Sequence, residues 1–281
     1  MPNPQSSSGN SGRIAFIGGG NMARSLIGAL IRGGAEAQSI RVAEPDGALR
    51  SMLARDFGVT THSINADAAR GAETIVLAVK PQVMRTVCAE VGAAIAAGRP
   101  LIVSIAAGIR IDQIAAWIGK EWPIVRCMPN TPALIGAGAT GLIANARAST
   151  GERERAQALL GAAGRTAWIE REALMDTVTA VSGSGPAYFF LLVEALENAA
   201  IAQGLPRETA RMLATQTCLG AGRMLTESGE PPATLRERVT SPGGTTAAAL
   251  AAFEEGGLRE LVATAVAAAT ERGRELSARP L

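Results

Sequence analysis

The segment Ile14-Ala-Phe-Ile-Gly18-Gly-Gly20-Asn-Met-Ala23 limits what this chain can fold into more than any other stretch of it. A short apolar run leads straight into Gly-x-Gly-x-x-Ala, and a helical pattern continues to residue 32. Gly18 permits a tight turn, Gly20 lets a pyrophosphate come close to the backbone, and Ala23 lets the helix lie against the sheet. The N–H groups at the helix start then face the phosphates. Glycine turns of this spacing also arise for purely structural reasons. A preceding strand and a following helix are the context that a dinucleotide-binding loop requires.

The rest of the first half fits that start. Apolar, β-branched runs at residues 14–17, 40–43, 74–79, 101–105, 124–127 and 141–144 alternate with helical stretches, as a parallel sheet with crossover helices demands. Past residue 170 the alternation stops and helices take over. One is expected to start at Ser184-Gly185-Pro186 and stop at Gly204 and Pro206. A second carries Leu213, Thr217, Gly220, Ala221 and Met224, and a last one carries Leu258, Leu261, Val262, Ala265, Ala268 and Ala269. The first of these is apolar nearly all round, so it is expected to be buried against a second copy of the chain. The fold class is therefore α/β: an N-terminal Rossmann-type doubly wound sheet over residues 13–170, then an all-helical domain over residues 171–281. Residues 1–12, MPNPQSSSGNSG, read as a disordered tail without the apolar core of a signal sequence.

Composition removes several classes of function. In 281 residues the net charge is +2, and three Trp, one Tyr and five Phe leave few platforms for stacked bases, so no nucleic-acid partner is expected. No apolar run is expected to span a membrane, because Glu194 and Glu197 interrupt the best candidate. Three cysteines, Cys88, Cys127 and Cys218, form no disulfide framework and point to the cytoplasm. With His62 the lone histidine and no Cys-x-x-Cys pair, no metal site is expected. Cys127 reads as a small buried hydrophobe, and His62 as a loop residue near the cofactor cleft.

Glu44 closes the second strand, where an acid accepts hydrogen bonds from the adenosine ribose and repels a 2′-phosphate, which favours NAD. A plain solvated carboxylate beside Pro45 is the alternative, and Arg41 and Arg50 leave NADP open. A nicotinamide cofactor implies hydride transfer. The helical half has no lysine or histidine to serve as a proton-transfer base, and Tyr188 is followed four residues later by Leu192, so a Tyr-x-x-x-Lys pair is absent. That poverty favours an imine that arrives already protonated. Ala78-Val79-Lys80-Pro81 and Met128-Pro129-Asn130-Thr131-Pro132 end strands at the cofactor edge, and Ser241-Pro-Gly-Gly-Thr-Thr246 opens a helix whose amides suit an anion.

Taken in order, Phe16-Ile-Gly-Gly-Gly-Asn-Met, Ala78-Val-Lys-Pro, Val103-Ser-Ile-Ala-Ala-Gly108, Arg126-Cys-Met-Pro-Asn-Thr-Pro132, Val181-Ser-Gly-Ser-Gly-Pro-Ala-Tyr188 and Ser241-Pro-Gly-Gly-Thr-Thr246 resemble the pyrroline-5-carboxylate reductases, from residue 14 to about residue 276. The resemblance implies reduction of 1-pyrroline-5-carboxylate to L-proline with NADPH or NADH. It also implies a homodimer that joins one chain's cofactor domain to the partner's helices and can assemble into a decamer. Carried onto this chain, Thr246 would meet the ring nitrogen, Ser241, Gly243, Gly244 and Thr245 would hold the carboxylate, and Val239 would line the ring. Gly18, Gly20, Asn21 and Met22 would hold the pyrophosphate, and Asn65 would approach the ribose. Ala78, Val79, Lys80, Pro81, Ala106, Ala107 and Asn130 would flank the nicotinamide half, with a structural strand-end charge the alternative for Lys80. Tyr188 reads as core or interface. This chain departs from many relatives in placing Ala43-Glu44-Pro45 at the second strand's end. Rival readings are a β-hydroxyacid dehydrogenase, which would need a lysine where Glu194, Glu197 and Asn198 stand, an imine reductase, and a cofactor-sensing protein without catalysis.

Overall fold

The structure, a computed structural model, describes residues 12–95, 98–119 and 122–278. The expected tail lies outside the described residues except for Gly12. The strands are β1 (Ile14–Ile17), β2 (Ile40–Ala43), β3 (Thr60–His62), β4 (Thr74–Leu77), β5 (Leu101–Ser104), β6 (Ile124–Met128), β7 (Gly138–Ala144) and β8 (Gly164–Trp168). They form one sheet in the order β3-β2-β1-β4-β5-β6-β7-β8. The pairs among β1 to β6 are parallel, β7 runs antiparallel to β6, and β8 runs parallel to β7. Because β1 neighbours both β2 and β4, the strand order reverses there, which opens a crevice at the carboxyl ends of these strands.

Every residue of β1, β4 and β5 is buried, so these strands read as unbroken apolar runs. Period-two alternation sends Phe16, Val76, Val103 and Val125 to one face and Ile17, Ile75, Leu77 and Ile102 to the other, where two separate cores form. The helices α1 (Asn21–Arg32), α2 (Gly47–Phe57), α3 (Asn65–Ala69), α4 (Met84–Ala94), α5 (Ile111–Ile118) and α6 (Thr150–Gly161) occur between the strands. The sequence pattern missed β3 and β8. Both are edge strands with partly exposed residues, so neither carries the apolar run that marks the central strands.

The first compact unit runs to Gly183 and takes back the chain from Thr270, and the second comprises Ser184–Ala269. The boundary read at residue 170 thus falls inside the first unit. Within that unit α7 (Met175–Val178) leads into the π-helical turn Thr179–Gly183, which the loop after β6 holds through the Asn130 side chain and the Ser182 carbonyl. The chain's end returns to the same place, where the Ser277 hydroxyl donates to Asp176 at 3.1 Å.

The second unit contains α8 (Gly185–Ala202), α9 (Arg207–Glu227), α10 (Pro232–Arg238) and α11 (Thr245–Glu255), and α12 (Leu258–Ala278) begins in it. Glu197 joins α8 to α9 by accepting both arms of Arg211, at 3.1 and 3.2 Å. Residues Glu172–Ala202 form one run long and apolar enough to cross a membrane, with mean hydropathy 1.2, against the expectation that none would be. The run is not a single helix, because it changes from 3-10 to α to π geometry before α8 starts. Within one chain Phe189, Phe190 and Leu191 of α8 are 58%, 67% and 65% exposed, an apolar face that calls for a partner surface.

Candidate functional site

The β1–α1 turn has the geometry that its glycines imply. Gly18 sits at φ +101°, and a Cβ there would lie 2.6 Å from the Ala78 carbonyl oxygen. The turn therefore passes hard against the end of β4, while the Gly18 N–H donates to Ala43 O at the end of β2. Nothing lies within 4 Å of a Cβ built on Gly20, which caps α1 in an extended conformation without any side-chain bond. The first-turn amides of α1, at Asn21, Met22 and Ala23, thus open onto a cradle suited to a pyrophosphate. These residues fit a dinucleotide on the chain's own geometry.

At the end of β2, Glu44 is 9% exposed. Its Oε2 accepts the Gly19 N–H at 2.9 Å, and its Oε1 accepts the Asp46 N–H at 3.1 Å. Both oxygens of the expected ribose reader are thus engaged by backbone. Arg50 folds back from α2 and donates from Nη1 to the carbonyls of Glu44 and Pro45, at 2.7 and 2.8 Å. Arg41 instead donates to Arg70 O. Asn65 opens α3, and its Nδ2 donates to exposed Glu90 at 2.7 Å. His62 ends β3, with its Nε2 buried and unpartnered.

On the other side of the crevice, Ala78 and Val79 are half-buried, Lys80 is exposed ahead of Pro81, Ala106 is buried and Ala107 is exposed. All of them follow the carboxyl ends of β4 and β5. Asn130 is buried, and its amide is engaged at both ends: Nδ2 donates to Ser182 O at 2.9 Å, and Oδ1 accepts the Ala139 N–H at 2.9 Å. It clasps the loop after β6 to the start of β7 and to the π-helical turn. The sequence reading passed over Arg126, which donates to Glu172 at 3.0 Å from a side chain that is only 5% exposed. The signal was present, since an arginine inside an otherwise buried strand must find a carboxylate.

Cys127 shares this edge, but burial raises its thiol pKa, and burial pushes the Cys88 thiol up to about 12. Neither is a thiolate at neutral pH. Both are expected to resist iodoacetamide at about pH 8 until the chain is unfolded, as mass spectrometry of the modified protein would show. Rapid labelling of Cys127 in the folded protein would restore it as a candidate nucleophile. Among the described residues no group of three or more His, Cys, Asp or Glu is placed to hold a metal ion.

The second unit supplies a different kind of cradle. Gly243 sits at φ +70°, and the Gly244 N–H donates to Ser241 O at 3.0 Å. A Cβ on Gly244 would fall 2.6 Å from the Ser241 Oγ and 3.1 Å from its carbonyl oxygen, so the turn is tight there, and the positive φ of Gly243 favours glycine. α11 then starts at Thr245 with no side-chain cap, which leaves the amides of its first turn open to an anion. Thr246 is half-buried on that turn, and Val239 is 61% exposed just before it.

Residues 172–276 match the family model described as pyrroline-5-carboxylate reductase dimerisation, and residues 13–108 match that of NADP oxidoreductase, coenzyme F420-dependent. The chain is 50% identical over 265 residues to the pyrroline-5-carboxylate reductase of Pseudomonas aeruginosa, covering 94% of this chain and 97% of that protein. The solved pyrroline-5-carboxylate reductase of Coxiella burnetii superposes with a TM-score of 0.93 at 42% identity, covering 96% of this chain and all (100%) of that one. The Plasmodium falciparum pyrroline carboxylate reductase, solved with NADP bound, gives a TM-score of 0.82 at 29% identity, covering 95% and 98%.

Proposed function

Since the chain belongs to the pyrroline-5-carboxylate reductase family, we propose that residues 239–246 hold the substrate and that the β1–α1 turn with the neighbouring strand ends holds the cofactor. The reaction is the NAD(P)H-dependent reduction of 1-pyrroline-5-carboxylate to L-proline, the last step of proline biosynthesis. The observation that carries the substrate assignment is the uncapped start of α11 behind Gly243 and Gly244. It offers several N–H groups to one carboxylate without a side chain in the way.

Bound NADPH or NADH supplies the hydride. The chain's own residues bind, orient and neutralise. The Ser241 hydroxyl and the amides of Gly243, Gly244 and Thr245 take the carboxylate, and Val239 packs against the ring. The Thr246 hydroxyl is placed to hydrogen-bond the ring nitrogen, which carries the proton that the imine brings with it. No stronger acid is needed, which fits a helical half without lysine or histidine. Consumption of NAD(P)H on adding pyrroline-5-carboxylate, with proline as product, tests the reaction. Cofactor binding without turnover would favour a sensor.

Thr246→Ala is expected to lower kcat about 10- to 100-fold, the worth of one hydrogen bond to a charged group, with the cofactor dissociation constant little changed. Unaltered steady-state kinetics would remove Thr246 from the site.

The chain forms a homodimer through its helical region, and the exposed apolar face of α8 gives that dimer a physical motive. In the dimer, residues 239–246 of one protomer serve the cofactor domain of its partner, and dimers assemble further, up to decamers. A solution mass measurement distinguishes these states. The cytoplasm is the compartment in which three free cysteines stay reduced.

A further inference from the structure

The β2–α2 loop bears on which adenosine ribose the chain accepts. An acid at this place selects against a 2′-phosphate when a carboxylate oxygen faces the ribose. Glu44 is 9% exposed, and each of its oxygens already takes a backbone N–H, from Gly19 and from Asp46. Its carboxylate ties the glycine turn to the end of β2.

Arg50 is the opposite case. It lies in the first turns of α2, where the helix dipole disfavours a cation, so its position needs another explanation. Nη1 directs its two hydrogens to the carbonyls of Glu44 and Pro45, which fixes the plane of the guanidinium. The Nε–H and the two Nη2 hydrogens have no acceptor among the described residues. No carboxylate pairs with it there, since Asp46 is occupied as the cap of α2 by the Ala48 and Leu49 amides. The other cation of this region, Arg41, is turned to Arg70 O. Arg50 is therefore an oriented cation without an anion, fixed to the carbonyl of Glu44, the residue whose carboxylate takes the Gly19 N–H of the glycine turn. Three free donors in a planar fork match a phosphate.

We propose that Arg50 recognises the 2′-phosphate of the cofactor's adenosine, that Glu44 braces the Gly19 amide instead of reading the 2′-hydroxyl, and that the enzyme therefore favours NADPH over NADH. The inference rests on the cofactor site assigned above.

The test is direct binding of adenosine 2′,5′-bisphosphate and of 5′-AMP to the full-length protein, with NADPH and NADH kinetics alongside. The wild type is expected to bind the bisphosphate about tenfold or more tightly than 5′-AMP, the worth of a charge-assisted contact. Arg50→Ala should bring that ratio close to one, Arg50→Lys should retain part of it, and the NADPH-to-NADH ratio of kcat/KM should follow the same order. Glu44→Gln should weaken both nucleotides together. Equal wild-type affinities, an Arg50→Ala loss shared equally by both nucleotides, or a Glu44→Gln gain confined to the bisphosphate would each overturn the proposal. If neither nucleotide bound the wild type, the cofactor site itself would be refuted along with it.

Discussion

Gly18→Ala is expected to weaken nucleotide binding more than 100-fold while the helical content of the protein stays near that of the wild type. Two costs act together. An L-residue held at the φ of +101° found here is strained by roughly 1–2 kcal/mol, and the new Cβ would sit 2.6 Å from a backbone oxygen, that of Ala78. A backbone atom cannot rotate aside as a side chain can, so either the turn or the end of β4 must move. Movement of the turn carries the α1 amides out of register with the phosphates, and affinity through several N–H bonds is lost at once. Titration with NADPH, read beside circular dichroism, checks both halves of the expectation. Gly20→Ala makes a useful contrast. Its Cβ meets nothing within 4 Å in the protein itself, so that variant should fold normally, and any affinity it loses reports contact with the ligand. Wild-type affinity in Gly18→Ala would show that the turn does not bind the pyrophosphate in this form.

The second large effect is on stability. Glu172 accepts from Arg126 at 3.0 Å and from the Ile111 N–H at 2.8 Å, so one carboxylate oxygen serves β6, the start of α5 and the segment that precedes α7. Glu172→Ala leaves the Arg126 guanidinium, whose side chain is 5% exposed, without its partner. Removing one side of such a pair costs about 3–5 kcal/mol, which corresponds to a fall in Tm of roughly 10 °C for a chain of this size. Glu172→Gln keeps an acceptor for the Ile111 amide and should cost less. Arg126→Leu leaves Glu172 without its cation, but that side chain is 23% exposed and keeps the Ile111 amide, so it should cost less than Glu172→Ala. Thermal unfolding of these variants orders them. A Glu172→Ala protein as stable as the wild type would mean that water already reaches Arg126 and that the pair contributes little.

Much of the fold could be read before any coordinates, and the reason is local. Buried parallel strands must be apolar on both faces, so Ile14–Ile17, Ile40–Ala43 and the runs after them stood out. Helix ends carry their own marks, and Pro186, Gly204 and Pro206 bounded α8. Where those rules weaken, the reading failed. The edge strands β3 and β8 have partly exposed residues and lack the apolar run. The dimerisation family match begins at residue 172, at the boundary the helical pattern marks, while the first compact unit extends to Gly183, where Ser182 accepts from the distant Asn130. Nothing in the helical pattern of residues 172–183 announces that bond.

The candidate site divides in the same way. By itself the amino-acid sequence determined the doubly wound sheet, the glycine turn at its centre and the glycine-opened helix of the second unit, because backbone conformation and burial periodicity depend on neighbours a few residues apart. Tertiary structure alone decided that Glu44 faces inward to Gly19, 25 residues away, and that Arg126 needs Glu172, 46 residues away. A polar side chain takes its role from the donors and acceptors that folding brings to it, and those come from parts of the chain that local pattern cannot connect.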